Sequence, residues 1–169
     1  MKNKKKTLLL FLLAALLAVI CVGVGVLLGK KGGPPAAEEP SKQELDAGAS
    51  DWTGEKEVYT GEKNTGTIDI PGYGSITLKA GETSQAVNFH NPEQNTCYFR
   101  MSLLLSDGTQ LWQSGLVGPG KGVYEIELNK ALEAGTYEGA VLKYECFAMD
   151  EAQTPLNGSE ITLTINVLE

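Results

Sequence analysis

Two cysteines in the C-terminal half of the sequence offer the clearest chemistry. Cys97 and Cys146 each fall on the inward-facing parity of a strand-like run, together with apolar side chains. In an oxidising compartment the pair could form a disulfide worth about 4 kcal/mol, because it would close a loop of about 50 residues. The alternative is two buried free thiols, since cysteine is often a small core residue. Parity alone does not show whether the two strands are neighbours, so both interpretations stay open.

Other residues that could support catalysis or cofactor binding lack the pattern they would need. Residues 115–121 have the spacing of a phosphate-binding loop, but Gly122 replaces the Ser or Thr that would hold Mg²⁺, and a strand-like run follows. His90 is the one histidine in the chain, which excludes a multi-histidine metal centre. No nucleophile elbow accompanies the serines. We therefore predict no catalytic, cofactor-binding or metal residues and no enzyme activity.

Three side chains have types that are common at protein interfaces. Tyr98 and Arg100 lie on the outward parity of one run, and Trp112 lies in the next run. Because tyrosine, tryptophan and arginine anchor many interfaces, we predict these three residues as partner contacts. For Arg100 we favour the alternative, an ion pair with a glutamate on a neighbouring strand.

Short alternating runs separated by turn residues begin at residue 65 and predict an all-β sandwich of about 7–8 strands. Turn pairs such as Pro71-Gly72 and Asn157-Gly158 separate the runs. No stretch in this region keeps a helical apolar period. The predicted strands lie near residues 66–70, 74–79, 84–90, 97–105, 109–114, 123–128, 136–148 and 160–168.

The N-terminal block predicts where this domain is placed. Residues 7–29 carry no charge over 23 positions, and as a helix they would span about 34 Å, enough to cross a hydrocarbon core. Four lysines precede this run in the basic tail of residues 1–6. The positive-inside rule then puts the N-terminus in the cytoplasm and the C-terminal domain outside. We predict an uncleaved transmembrane signal anchor in the plasma membrane; a cleaved signal and a lipoprotein signal ending at Cys21 are the alternatives.

Residues 30–64 are predicted to form an acidic linker containing Pro, Gly and Ser, mostly disordered because it has few apolar side chains. Trp52 and Tyr59 are exceptions. We favour their packing on the domain as an N-terminal strand; the alternative is that they bind a partner protein. Residues 64–169 hold five basic and thirteen acidic side chains, a net charge of 5 − 13 = −8. This charge argues against a nucleic-acid partner.

The stretch SDGTQLWQSGLVGPGKGVYEIELNKALEAGTYEGAV resembles bacterial extracellular immunoglobulin-like domains. In that family a Pro-Gly turn precedes one strand, and a Gly-Thr-Tyr motif opens a later strand that carries a corner tyrosine. The resemblance covers residues 65–169 and implies an immunoglobulin-like antiparallel β-sandwich with Tyr137 as the corner tyrosine, its hydroxyl bonded to upstream backbone. The whole layout is similar to that of small membrane-anchored envelope proteins of Gram-positive bacteria. Through DGTQLWQS and the Gly-Tyr strand the sequence is also similar to the sandwich-type intracellular proteinase inhibitors of spore-forming bacteria.

Together these patterns predict a membrane-anchored cell-surface protein with a non-catalytic binding or assembly domain for an envelope protein or a glycan. One alternative is an extracellular proteinase-inhibitor-like sandwich, in which residues 117–122 would form a protruding inhibitory loop. The other is an envelope enzyme, which requires a concave polar pocket that small sandwiches seldom have.

Overall fold

The computed structural model describes residues 42–54, 63 and 65–169, which belong to one compact unit, Lys42–Glu169. The predicted cytoplasmic tail, residues 1–6, and the predicted signal anchor, residues 7–29, lie outside the described residues. No helix capable of crossing a membrane occurs in the part of the chain that the structure describes.

Eight strands form two sheets, and no helix accompanies them within the described residues. The three-stranded sheet has the order β1-β6-β3, and the five-stranded sheet has the order β2-β8-β7-β4-β5. Neighbouring strands are antiparallel except for β2 and β8, which run parallel. This arrangement is consistent with the predicted β-sandwich. The strands are β1 Ser50–Asp51, β2 Ser75–Lys79, β3 Ser84–Asn91, β4 Cys97–Leu104, β5 Gln110–Gln113, β6 Lys121–Glu127, β7 Gly135–Ala148 and β8 Pro155–Leu168.

Apolar side chains of both sheets form one core. Phe89 and Ile126 come from the three-stranded sheet, while Phe99, Leu142 and Ile165 come from the five-stranded sheet; each is at most 3% exposed. These residues alternate with polar positions along their strands, so one face of each sheet is buried. Because each fully buried side chain of this size contributes roughly 1.5–3 kcal/mol, this cluster is the main stabilising element.

The predicted strand at residues 66–70 is not formed. The backbone of Asp69 is instead paired with a side chain: its N–H donates to Asn95 Oδ1 at 2.8 Å, and Asn95 Nδ2 donates to its carbonyl oxygen at 2.9 Å. Ile68 and Ile70 still pack against the core. The alternating pattern therefore predicted the apolar contacts correctly. The hydrogen bonds that a neighbouring strand would supply come instead from the buried side-chain amide of Asn95.

Part of the predicted linker belongs to the folded unit. We call residues 42–54 the N-terminal strap. Within it, β1 pairs with Lys121 and Gly122 of β6, and the Asp46 N–H donates to the Leu116 carbonyl oxygen at 2.9 Å. The linker prediction for residues 30–64 is therefore wrong over the strap, because its backbone groups find partners in the domain. Residues 30–41, 55–62 and 64, including Tyr59, lie outside the described residues.

Trp52 fixes the end of the strap to the outer side of the three-stranded sheet. Its ring stacks on His90 with centroids 3.9 Å apart and lies parallel to Tyr124 at 5.9 Å. A Cβ atom on Gly122 would lie 2.7 Å from Cε3 of Trp52. The indole therefore sits where β6 has no side chain, and the predicted docking of Trp52 on the domain is observed.

Replacing Gly115 by alanine should loosen the strap. The new Cβ would lie 2.8 Å from both N and Cα of Asp46, so the strap must move and we expect a loss of about 1–3 kcal/mol in unfolding free energy. Hydrogen exchange of the Asp46 and Trp52 amides should accelerate at least about tenfold. Gly118→Ala is the control, since its Cβ would have no neighbour closer than 3.8 Å. Equal exchange in the two variants would contradict this role of Gly115.

Candidate binding surface

Two adjoining hollows flank the first half of β8. The first has a volume of about 620 Å³ and is lined by charged side chains that include Arg100, Lys143 and Glu145. The second, of about 520 Å³, lies between residues 65–70 and the start of β8. Both are lined by Leu156, Gly158 and Ser159. We call the two hollows together the β8 groove.

A bulge in β8 shapes this groove. In the pairing of β7 with β8, Tyr144 lies opposite Ser159 and Cys146 opposite Leu156. Two steps along β7 therefore match three along β8, and the Asn157-Gly158 pair supplies the extra residue. A Cβ on Gly158 would lie only 2.3 Å from the Tyr144 carbonyl oxygen. The Asn-Gly pair, predicted as a turn, is thus a bulge inside a strand that begins five residues before its predicted start.

One edge of β8 lacks a strand partner over much of its length. On that side β2 pairs only with Thr164–Leu168 of β8. Along this edge, on the side of β8 away from β7, no strand of the described residues pairs with residues 155–163. Leu156, on this stretch, is 42% exposed. An unpaired strand edge beside an exposed aliphatic side chain is a template for pairing with another extended chain.

Arg100 has its partners inside the protein. Its Nε and Nη2 donate to the Glu145 carboxylate at 3.1 and 2.9 Å, and Nη1 donates to Gln43 Oε1 at 3.0 Å. The guanidinium carbon also lies 5.2 Å from the centroid of the Phe147 ring. The favoured interpretation of Arg100, a cross-strand ion pair and not a partner contact, is therefore observed, because β4 and β7 align Arg100 directly opposite Glu145.

The Arg100 pair should make stability depend on pH. The hydrogen bonds from Arg100 hold the pKa of Glu145 below its usual value. A depressed folded pKa adds stability above the unfolded pKa, about 4.3, and this stability is lost as the pH falls through the folded pKa. Arg100→Gln should therefore cost about 0.5–1 kcal/mol at pH 7 and less at pH 3, measured by urea unfolding. A cost that is the same at both pH values would refute the linkage; the control is Lys79→Gln, which removes the exposed ion pair with Glu82.

Trp112 is a core residue and not a surface contact. It is 8% exposed, and its ring stacks on Phe89 of the opposite sheet with centroids 5.8 Å apart. In the pairing of β4 with β5, Leu103 lies opposite Trp112 but Leu104 lies opposite Gln110. This bulge turns two consecutive β5 side chains inward. The prediction of Trp112 as a partner contact is therefore wrong, whereas half-buried Tyr98 stays a prediction.

Cys97 and Cys146 are neighbours in the five-stranded sheet. Cys97 lies opposite Ala148 and Cys146 opposite Phe99, so the two cysteines are diagonal across β4 and β7. Both are buried free thiols. The hydrogen bond between them lowers the pKa of Cys97 and raises that of Cys146, which burial raises further. Of the two interpretations that the sequence left open, the structure contains the pair of free thiols.

Tyr137 lies near the start of β7, where its hydroxyl donates to the Glu133 carbonyl oxygen at 3.1 Å. This bond to backbone four residues upstream is the contact that a corner tyrosine makes. It ties the connection before β7 to the strand itself.

The segment proposed as an inhibitory loop does not protrude. Val117 is fully buried, and its backbone exchanges two hydrogen bonds with Phe99 at 2.8 and 3.0 Å. The Gly120 N–H donates to the Asn91 carbonyl oxygen at 2.8 Å. Residues 117–122 are thus held against the domain. Within the described residues, no three His, Cys, Asp or Glu side chains are grouped so that they could hold a metal ion.

Sequence reasoning missed the residues that line the second hollow. The sequence predicts a strand over Ile68 and Ile70 and makes no assignment for Leu156; the Asn157-Gly158 pair is the one local signal that the chain departs from regular pairing here. Comparison with known proteins adds no assignment: no protein-family model matches the sequence, and no curated protein is significantly similar to it.

Proposed function

We propose that the protein is anchored in the plasma membrane by residues 7–29 and presents the Lys42–Glu169 unit outside the cell as a non-catalytic binding domain. The uncharged run and the lysines before it support this topology. The partner is an extended segment of an envelope protein, bound in the β8 groove. One observation carries the proposal: the edge of residues 155–163, without a strand partner among the described residues, lies beside exposed Leu156.

The chemistry of the groove favours a polypeptide over a glycan. An extended peptide can hydrogen-bond to a free strand edge and place alternate side chains into neighbouring hollows. The apolar groups of the second hollow, Ile68, Ile70 and Leu156, are aliphatic. Sugar rings are usually held against exposed aromatic faces, but Tyr144 and Phe147 in the first hollow are buried.

We infer that the two sheets have an immunoglobulin-like topology. In that fold strands G, F and C are neighbours in one sheet and E and B in the other; β8-β7-β4 and β6-β3 fit this order. The Tyr137 hydrogen bond adds support. Two features differ from antibody domains: both cysteines lie in one sheet, and β1 lies beside β6.

Two exposed leucines on β8 allow a matched test of the groove. Leu156 lies in the groove, while Leu168, 58% exposed, lies at the other end of the strand. The full-length protein is cross-linked in intact cells and captured, and the proteins recovered with it are quantified by mass spectrometry. We expect Leu156→Arg to lower recovery of the partner at least about tenfold, because the central apolar anchor is lost. Leu168→Arg should recover as much as the wild type.

Two results would overturn this proposal. Equal recovery with Leu156→Arg and Leu168→Arg would show that the groove is not the contact surface. A bound component that resists complete proteolysis and is released by glycosidases would replace the polypeptide with a glycan. Circular dichroism of both variants establishes that each is folded before the recoveries are compared.

A further inference from the structure

The two core thiols are placed for chemistry with each other. Cys97 and Cys146 are diagonal neighbours across β4 and β7, and no other cysteine occurs in the described part of the chain. Cys97 lines the second hollow and Cys146 the first, so the β8 groove approaches the pair from both sides. Cys97 is the first residue of β4, and Cys146 lies two residues before the end of β7. The pair is therefore at the end of the sheet, where strand ends can adjust.

We propose that Cys97 and Cys146 form a reversible disulfide within the five-stranded sheet by exchange with an external disulfide. Diagonal residues of neighbouring strands have Cα atoms about 7–8 Å apart, whereas disulfides usually join Cα atoms about 4.4–6.8 Å apart. Closing the bond must therefore draw the ends of β4 and β7 together by about 1 Å. A bond that requires such movement is reduced more easily than an unstrained structural disulfide.

The exchange proceeds in two steps that balance. The Cys97 thiolate attacks one sulfur of the external disulfide, forms a mixed disulfide and releases one thiolate, which takes up a proton. The Cys146 thiolate then attacks the Cys97 sulfur and releases the second thiol. The two cysteines lose two electrons and two protons, and the external disulfide gains both. Cys97 attacks first because it is the first residue of β4 and lines the second hollow; its interaction with Cys146 also lowers its pKa, which increases its thiolate fraction.

Trypsin separates the two cysteines, which makes the bond directly visible. Cleavage after Lys79, Arg100 and Lys143 gives peptides 80–100, with Cys97, and 144–169, with Cys146. Purified full-length protein carrying Cys21→Ser is equilibrated with glutathione at graded ratios of disulfide to thiol. It is then quenched in acid, alkylated in urea and digested without reductant. We expect a cross-linked peptide pair, about 2 Da lighter than the sum of its parts, that rises with oxidised glutathione and disappears on reduction.

Two alanine variants test the order of attack. Cys146→Ala should trap glutathione on Cys97, whereas Cys97→Ala should leave Cys146 mostly unmodified. If the cross-linked peptides are detected at no glutathione ratio, the proposed disulfide is wrong. If glutathione is trapped equally on Cys97 and Cys146 in the two variants, the proposed order of attack is wrong. The wild-type measurement decides the main point even if an alanine variant does not fold. Because the purified chain is oxidised in solution, the result is independent of the membrane topology and the partner in the proposed function.

Discussion

Replacing Trp112 by alanine should lower the free energy of unfolding by about 3–5 kcal/mol, the range for large aromatic side chains removed from a core. The indole is almost fully buried and stacks on Phe89 across the two sheets. Its loss removes a contact between the sheets as well as apolar surface, and the cavity next to β5 cannot close without moving the sheet edge. Urea unfolding followed by circular dichroism measures the change.

Trp52→Ala provides the comparison for Trp112. Trp52 is only half-buried and stacks on His90 and Tyr124 outside the core, so its removal should cost about 1–2 kcal/mol. Trp112→Phe, which keeps an aromatic ring, should cost less than Trp112→Ala. If Trp112→Ala cost under about 1 kcal/mol, Trp112 would be a surface residue after all and the assignment of the core would fail.

Replacing Gly158 by valine should have the second largest effect, because it attacks the bulge that shapes the β8 groove. The new Cβ would lie 2.3 Å from the Tyr144 carbonyl oxygen, an atom of the backbone that cannot rotate away. Either β8 separates from β7 around the bulge or the strand changes its register. We expect a loss of about 2–3 kcal/mol in unfolding free energy. The amount of partner recovered in the cross-linking experiment should also fall.

Gly72→Val controls for the general cost of adding a branched side chain at a glycine, since a Cβ there meets nothing within 4 Å. It should change stability by less than about 0.5 kcal/mol. Hydrogen exchange of the Cys146 and Leu156 amides should accelerate in Gly158→Val and not in Gly72→Val. The same stability in both variants would mean that β8 does not approach β7 as closely as described.

The long strands could be predicted because their signal is local. Residues 84–90, 97–105 and 136–148 alternate apolar and polar side chains, and the structure has strands at Ser84–Asn91, Cys97–Leu104 and Gly135–Ala148. Alternation along one strand is a property of the chain alone, and a buried sheet face selects it. The two-sheet, all-β architecture follows from these runs.

The failures all depend on contacts between distant parts of the chain. Ile68 and Ile70 alternate like a strand, but the backbone of Asp69 between them is hydrogen-bonded to the side chain of Asn95 and not to another strand. The bulge that buries Trp112 arises only when β5 pairs with β4. The strap is polar in composition, yet it docks because Gly115 and Gly122 leave room for its backbone and for Trp52. None of these contacts leaves a periodic signal in the sequence.

The candidate site was less predictable than the fold. Parity placed both cysteines inward, but only the register of β4 and β7 shows that they are diagonal neighbours. The pairing of Arg100 with Glu145 likewise depends on the register of β4 and β7. The β8 groove depends on a bulge and on where β2 stops pairing, so no single motif encodes it. The Asn157-Gly158 pair is the one component visible in the sequence, and only the pairing of β7 with β8 shows that it forms a bulge.

The proposed envelope role depends on the domain lying on the outer side of the membrane. A cysteine at position 149 allows this orientation to be measured. Met149 is 52% exposed at the connection between β7 and β8, and the wild-type chain measures the labelling of the cysteines already present. Cells producing full-length Met149→Cys are treated with a membrane-impermeant maleimide before and after permeabilisation, with the wild-type chain as control. Labelling of intact cells to the same extent as permeabilised cells is the predicted result. Labelling only after permeabilisation would contradict the account, because the binding domain would then lie inside the cell.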